Sequence, residues 1–238
     1  MTKASLGFVI GRHIAKADHV ALCSRAHASV RRFYPDSPIL IVDDNSPLEG
    51  PDDYDAQTSV VRSTFPGAGE FGLYYYYHHT RAFDRAVFLH DSMVINRPLD
   101  LSNAHAIKYL WHFAYHESLW QHVNDVERLL SELADREGAE RKYRSNAWTG
   151  MFGCCCSLTW SCLDRIVQRY QLFRLLPKVN TRATRCAMER VLGILFSEEL
   201  RQDSPSLNGN IFELPGAFVR DQQLTDHAGY MDKTWHGR

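Results

Sequence analysis

Two aspartates follow a buried strand early in the chain, in the segment IVDDNSP. The apolar run at residues 39–42 predicts an interior strand, and Asp43 and Asp44 come directly after it. At the carboxyl end of such a strand, a carboxylate can accept hydrogen bonds from a ribose hydroxyl or a base N–H. Asp43 is therefore a candidate nucleotide anchor. The same residue types favour turns and helix caps, so a purely structural role for the segment stays open.

A second polar group, His90, Asp91 and Ser92, follows another apolar strand in VFLHDSM. A charged group at the end of a buried strand costs several kcal/mol unless it meets a cation, hydrogen bonds or water. A diphosphate site assisted by a metal ion is one use for such a group. An aspartate satisfied by its own neighbours is the alternative.

The elements that must position these residues alternate between strand and helix, which predicts a largely parallel sheet. Right-handed crossovers bring the carboxyl ends of such strands to one edge, where ligands bind. We therefore expect Asp43 and Asp91 to share one cleft. The predicted strands are 6–10, 39–42, 59–61 and 86–89, and the predicted helices are 20–30 and 73–83.

The second half of the chain is less regular, and we find no internal repeat or domain linker in it. The polar segment 137–146 predicts a surface connection. We expect one α/β domain over residues 1–238, with a nucleotide-binding half at 1–100 and a second half at 101–238. The predicted elements of the second half are a strand at 107–113, an amphipathic helix at 119–133 ended by Gly138, and helices at 158–175 and 184–200.

The order of IVDDNSP, a glycine-broken loop, an aromatic helix and VFLHDSM resembles the nucleotide-binding half of GT-A glycosyltransferases. The resemblance implies a single Rossmann-like domain, in which Asp43 and Asp44 hold the base and ribose of the donor. The place of His90, Asp91 and Ser92 usually carries D-x-D, which holds a divalent cation on the donor diphosphate. An imidazole and one carboxylate can still hold Mn²⁺, so we expect Mn²⁺ or Mg²⁺ as cofactor.

The resemblance extends to two further places in the second half. Trp148, Gly150, Phe152 and Gly153 look like the turn and strand that bracket the transferred sugar, although aromatics such as Trp148 and Phe152 are more often core residues. Glu189 lies at the boundary of an apolar helix face and resembles the general base of inverting members. An ordinary helical ion pair between Arg185 and Glu189 is the alternative.

The last six residues, KTWHGR, are rich in basic and aromatic side chains. By the same resemblance, His236 would complete a metal shell with Asp91, and Lys233 and Arg238 would neutralise the leaving diphosphate. A simple basic tail is the alternative. Arg12, directly after the first strand, is a further candidate for contact with the nucleotide.

The composition limits which classes of binding partner and which cellular compartment we expect. Lysine plus arginine (27) nearly equals aspartate plus glutamate (28), which argues against nucleic acid as a partner. The longest apolar runs have the length of strands, so no membrane span is expected. Of the six cysteines, three are consecutive at 154–156, which favours free thiols and a reducing, cytoplasmic compartment. We find no secretion signal.

The sequence thus predicts an enzyme that moves a sugar from a nucleotide-sugar donor, UDP-linked by expectation, to a hydroxyl of a glycan or other acceptor. Inversion at the anomeric carbon is the expected stereochemistry. Two alternatives stay open. One is nucleotidyl transfer, which uses a similar sheet, and the other is a catalytically inactive protein that binds nucleotide sugars or carbohydrates.

Overall fold

A computed structural model of the protein describes residues 5–117, 122–214 and 229–234, and the backbone alone for 223–225. These residues form a mixed α/β structure around a six-stranded sheet. The fold class predicted from the sequence, a mostly parallel central sheet flanked by helices, is confirmed. In the described part of the chain, no helix is long and apolar enough to cross a membrane.

Strands from both halves of the chain build one central sheet and two smaller ones. In chain order they are β1 (Leu6–Arg12), β2 (Ile39–Asp43), β3 (Thr58–Arg62), β4 (Arg85–His90), β5 (Met93–Ile95), β6 (Ile107–Tyr109), β7 (His112–Ala114), β8 (Thr149–Met151), β9 (Cys156–Thr159), β10 (Gln223–Thr225) and β11 (Met231–Thr234). The central sheet has the order β3-β2-β1-β4-β9-β6. Its first four strands are parallel, and β9 is antiparallel to both neighbours.

The centre of this sheet is buried on both faces. Residues 8–10, 39–42 and 86–89 are at most 3% exposed. Parallel strands covered on both faces need apolar side chains at consecutive positions, which is why these runs could be read from the sequence. The four predicted strands of the first half are confirmed.

The strand order reverses between β1 and β4. From β1 the chain moves outward to β2 and β3, and then returns to place β4 on the other side of β1. In open α/β sheets, ligands bind outside the carboxyl ends of the strands at such a reversal. There the backbone N–H of Asp91 donates to the carbonyl of Gly11 at 3.0 Å. The polar group after β4 therefore starts at the point of reversal.

Helices pack around the central sheet. They are α1 (Val20–Phe33), α2 (Glu70–Thr80), α3 (Val123–Ser131), α4 (Arg136–Arg144), α5 (Trp160–Tyr170) and α6 (Arg182–Leu195). The aromatic helix predicted at 73–83 corresponds to α2. Its Tyr74 and Tyr77 are fully buried, and the ring of Tyr74 stacks on Phe88 of β4 with 4.3 Å between centroids. Tyr75 and Tyr76 keep some exposure, so one face of α2 packs on the sheet.

Two predictions for the second half are wrong. The single strand predicted at 107–113 is two short strands, β6 and β7, which belong to different sheets. Leu110 and Trp111 between them are fully buried, and a run of buried residues is apolar whether the chain is straight or bent. The predicted surface connection at 137–146 is largely the helix α4. Its cap is Asp135, whose carboxylate accepts the N–H of Gly138 at 2.9 Å, so Gly138 lies in the first turn of a helix instead of ending one.

Other helix boundaries shift because of local capping. The described part of the helix predicted at 119–133 is α3. The helix predicted at 158–175 begins later, at α5, because residues up to Thr159 belong to β9 and Thr159 caps the helix. The helix predicted at 184–200 is α6, which starts earlier through a capping box between Thr181 and Thr184.

Helix α6 lies unusually close to β8. A Cβ atom at Gly193 would be 2.3 Å from the carbonyl oxygen of Thr149 and 3.0 Å from the Cα of Gly150. These are backbone atoms, which cannot move aside as the end of a side chain can. The missing side chain of Gly193 therefore sets the distance between α6, which carries Glu189, and the strand beneath it.

Replacing Gly193 with alanine should lower the free energy of unfolding by about 1–3 kcal/mol, because the helix must move off β8. Gly72→Ala on α2 is the matched control. A Cβ there would meet nothing nearer than 3.7 Å, so helix propensity should leave stability unchanged or raise it by up to about 1 kcal/mol. Denaturant titration of both variants measures the difference, and equal effects would contradict the packing of α6 on β8.

Candidate active site

Polar side chains that follow β1, β2 and β4 lie together at the carboxyl edge of the central sheet. Arg12 at the end of β1 pairs in register with Asp43 at the end of β2. His13, the next residue, donates its backbone N–H to a carboxylate oxygen of Asp91 at 3.1 Å. Asp43 and Asp91 therefore flank the end of β1 on the same edge of the sheet.

Arg12 and Asp43 form a buried ion pair, with 2.6 Å between Nε and Oδ2 and side chains 1% and 5% exposed. Ser46 donates its backbone N–H and its hydroxyl to the same carboxylate, at 2.8 and 2.9 Å. Burial alone would raise the pKa of Asp43, but the hydrogen bonds from Ser46 and the charge of Arg12 hold it below its usual value. The ionised carboxylate of Asp43 thus fixes the turn after β2.

Asp44 organises the glycine-containing loop that precedes α2. Its two carboxylate oxygens accept the backbone N–H groups of Gly67 and Gly69, at 2.9 and 3.0 Å. Both glycines have positive φ angles, 83° and 54°, which other residues rarely adopt. Burial raises the pKa of Asp44, against the opposing effect of these N–H groups. Asp44 therefore holds the loop against the end of β2.

His90 is hydrogen-bonded through both ring nitrogens. Nε2 lies 2.8 Å from the carbonyl oxygen of Gly153, and Nδ1 lies 2.9 Å from Nζ of Lys233. Because a carbonyl can only accept, Nε2 carries the proton, and the lone pair of Nδ1 accepts from the ammonium group. Burial and the charge of Lys233 lower the pKa of His90 to about 4, so the imidazole is neutral at neutral pH.

Glu189 joins the same set of residues through the backbone N–H of Gly153. The N–H of Gly153 donates to Oε1 of Glu189 at 2.8 Å, and the guanidinium of Arg190 lies 3.6 Å from Oε2. Burial raises the pKa of Glu189 to about 7, against the opposing effects of Arg190 and the Gly153 N–H. Hydrogen bonds thus join Glu189, Gly153, His90 and Lys233 into one chain, which we call the edge network.

Gly153, which has a φ angle of 62°, was expected beside the transferred sugar, but one residue of this site was missed by the sequence analysis. The missed residue is Glu70, the first residue of α2, whose carboxylate lies 3.5 Å from Nε2 of His90 and 3.8 Å from Arg185. Burial acts to raise the pKa of Glu70, but the facing imidazole, Arg185 and Lys233 outweigh it and lower the pKa. In the sequence, the glycines before Glu70 were the only indication that this residue lies at the site.

The three other predicted sugar-binding residues lie in different surroundings. Trp148 is 3% exposed and donates its indole N–H to the carbonyl of Tyr143 at 3.2 Å. Gly150 is buried under the ring of Phe113, which a Cβ would overlap at 2.0 Å. Phe152 is half-buried, and its ring centre lies 5.6 Å from Nζ of Lys233. Of the three, Phe152 is the residue that borders the edge network.

The structure gives little support to a cation held by His90. Neither ring nitrogen has a lone pair left for a metal ion, since one is protonated and the other accepts from Lys233. Within the described ranges, no group of three or more His, Cys, Asp or Glu could hold a metal ion. His236 and Arg238 lie outside the described residues, so the predicted shell of Asp91 and His236 stays a prediction.

Two of the hollows in the surface of the described structure bear on the site. One, of about 430 Å³, opens beside Asp91 and Ser92, between α1 and the strands β5 and β11. The other, of about 580 Å³, lies among residues of the α3–α4 turn together with Arg174 and Lys178. Only the first hollow contains predicted site residues in its wall.

Comparison with protein-family models and with curated proteins finds no match for this chain. The functional argument therefore rests on the geometry at the carboxyl edge. Its central feature is the edge network, which combines a carboxyl group of raised pKa with a buried ammonium group.

The raised pKa of Glu189 predicts how stability changes with pH. Between its ordinary value of 4.5 and about 7, the folded state keeps a proton that the unfolded state releases. Glu189 should therefore contribute a fall in the free energy of unfolding of on the order of 3 kcal/mol as pH rises through this range. His90, whose pKa is lowered to about 4, contributes a rise of opposite sign between about pH 4 and 6.5. The Glu189 contribution is therefore measured as the difference between the pH profiles of wild type and Glu189→Gln in denaturant titrations.

Glu189→Gln should remove that fall in stability, since an amide cannot ionise and can still accept the Gly153 N–H. Glu137→Gln, on the exposed side of α4, is the matched control and should keep the wild-type slope. The same pH dependence in wild type and in Glu189→Gln would show that Glu189 ionises like an exposed glutamate.

Proposed function

We propose that the protein is a glycosyltransferase that moves a sugar from a UDP-linked donor to an acceptor hydroxyl. The donor lies outside the carboxyl ends of β1, β2 and β4, where the strand order reverses. Acidic and basic groups stand side by side at this edge, which suits a ligand with hydroxyls at one end and a diphosphate at the other. The resemblance of IVDDNSP and VFLHDSM to GT-A enzymes supports the same reading.

The observation that carries the proposal is the state of Glu189. Its side chain is 17% exposed, and its pKa is raised to about 7. A general base works best when its pKa lies near the working pH, because it is then substantially ionised and still basic enough to take a proton. The Gly153 N–H fixes one oxygen of Glu189, and the other, 3.6 Å from the guanidinium of Arg190, would take the proton of an acceptor hydroxyl.

In the proposed reaction, Glu189 takes the proton of the acceptor hydroxyl as its oxygen bonds to the anomeric carbon. The bond from that carbon to the diphosphate oxygen breaks, and its electron pair leaves with the diphosphate. Attack from the face opposite the leaving group inverts the anomeric carbon. Negative charge grows on the diphosphate during this step, so a positive group held nearby stabilises the transition state more than the bound donor.

The nucleotide end of the donor is assigned to the ends of β1 and β2. Asp43 is held by Arg12 and Ser46, and Asp44 by the glycine loop, so this surface is already ordered before a ligand arrives. Ordering a binding surface in advance reduces the entropy lost on binding. The diphosphate and sugar would follow at the neighbouring end of β4, beside His90 and Lys233.

Release of UDP from UDP-glucose, UDP-galactose and UDP-N-acetylglucosamine tests the activity, with water or added sugars as acceptors. We expect the rate to rise with pH through about 7 as Glu189 ionises. Glu189→Gln should lower kcat by about 10²- to 10⁴-fold with little change in KM, because the carboxylate accepts the proton in the transition state and not in the bound ground state.

Glu137→Gln serves as the control and should keep the wild-type rate. Turnover by Glu189→Gln at the wild-type rate would rule out the assigned base. Stabilisation by UDP-sugars without any turnover would favour an inactive binding protein. Release of pyrophosphate from a nucleoside triphosphate would favour nucleotidyl transfer.

A further inference from the structure

The contact between His90 and Lys233 bears on how the diphosphate is neutralised. Lys233 comes from β11, which pairs with β5 so that Lys233 stands opposite Met93. Its side chain is buried, at 5% exposure for the residue, and the ammonium group lies 2.9 Å from Nδ1 of His90. Lys233, on a strand near the end of the chain, therefore places a positive charge next to His90, the first residue of the H-D-S triplet.

This ammonium group retains capacity to bind a ligand. An ammonium group has three N–H donors, and within the described residues Lys233 makes one hydrogen bond, to His90. Burial lowers the pKa of Lys233, while the nearby carboxylates of Glu70, Glu189 and Asp91 act to keep the charged form. Its other two donors make no hydrogen bond within the described residues, and a diphosphate oxygen is a matching acceptor for them.

The same contact disfavours a divalent cation at this position. A metal ion bound to His90 would need the lone pair that now accepts from Lys233, and it would lie next to a like charge. Asp91, the single acidic residue of the triplet, already accepts the backbone N–H of His13 at 3.1 Å. One carboxylate provides a small part of the six oxygen ligands that Mg²⁺ requires.

We propose that the ammonium group of Lys233, positioned by His90, binds the donor diphosphate in place of a divalent cation, so that nucleotide binding is independent of Mn²⁺ and Mg²⁺. The proposal rests on the glycosyl transfer proposed above. It replaces the metal expected from the sequence with a residue of the chain. The negative charge of the leaving UDP is then neutralised by Lys233 and not by a dissociable metal ion.

Calorimetric titration of the full chain with UDP, in EDTA and in Mn²⁺, tests this inference without any variant. We expect the two Kd values to agree within about twofold. Lys233→Met should weaken UDP binding by about ten- to hundredfold, which corresponds to one charge-assisted hydrogen bond, and should leave uridine binding unchanged. Lys233→Arg, which keeps the charge, should retain most of the affinity.

Lys178→Met, in the hollow at the α3–α4 turn, is the matched control and should bind UDP as the wild type does. UDP binding that requires Mn²⁺ would overturn this inference and leave the glycosyltransferase proposal standing. Failure of every uridine nucleotide to bind in either condition would overturn both. If Lys233→Met fails to fold, the inference is still tested by two measurements. These are the Kd of UDP for the wild type in EDTA and in Mn²⁺, and the Kd of UDP for Lys233→Arg.

Discussion

The backbone of Gly153 is the constraint on which the rest of the site depends. Its N–H donates to Glu189 and its carbonyl accepts from His90, so one residue sets the positions of the carboxyl group and of the imidazole that holds Lys233. The φ angle of 62° lets both groups point correctly, and a Cβ here would lie 3.0 Å from Cε1 of His90. A base and a cation are thereby fixed relative to each other.

Several parts of this arrangement could be read from the sequence because local patterns determine them. The strands at the sheet centre are continuous apolar runs, and the residues that follow them must lie at the carboxyl edge. For the same reason Asp43 and Asp91 were expected near each other. Glu189 stood out because it borders the apolar face of α6, which places it between core and solvent.

Other parts depend on contacts between distant segments, which no local pattern encodes. Lys233 reaches His90 because β11 pairs with β5, across 143 positions of the chain. The pairing of Arg12 with Asp43 arises from the register of two strands. Helix α4 was taken for a loop because its composition is polar, and its short buried side, at Gly138 and Ala139, gives almost no periodic signal.

The most direct test of the central claim is to locate the nucleotide on the protein. Titrating ¹⁵N-labelled protein with UDP and following backbone amide signals by NMR provides this. The account predicts that the largest changes occur at His13, Asp91 and Gly153, on the carboxyl edge of the sheet. Changes confined to the hollow near Arg174 and Lys178, with the edge signals unmoved, would contradict it.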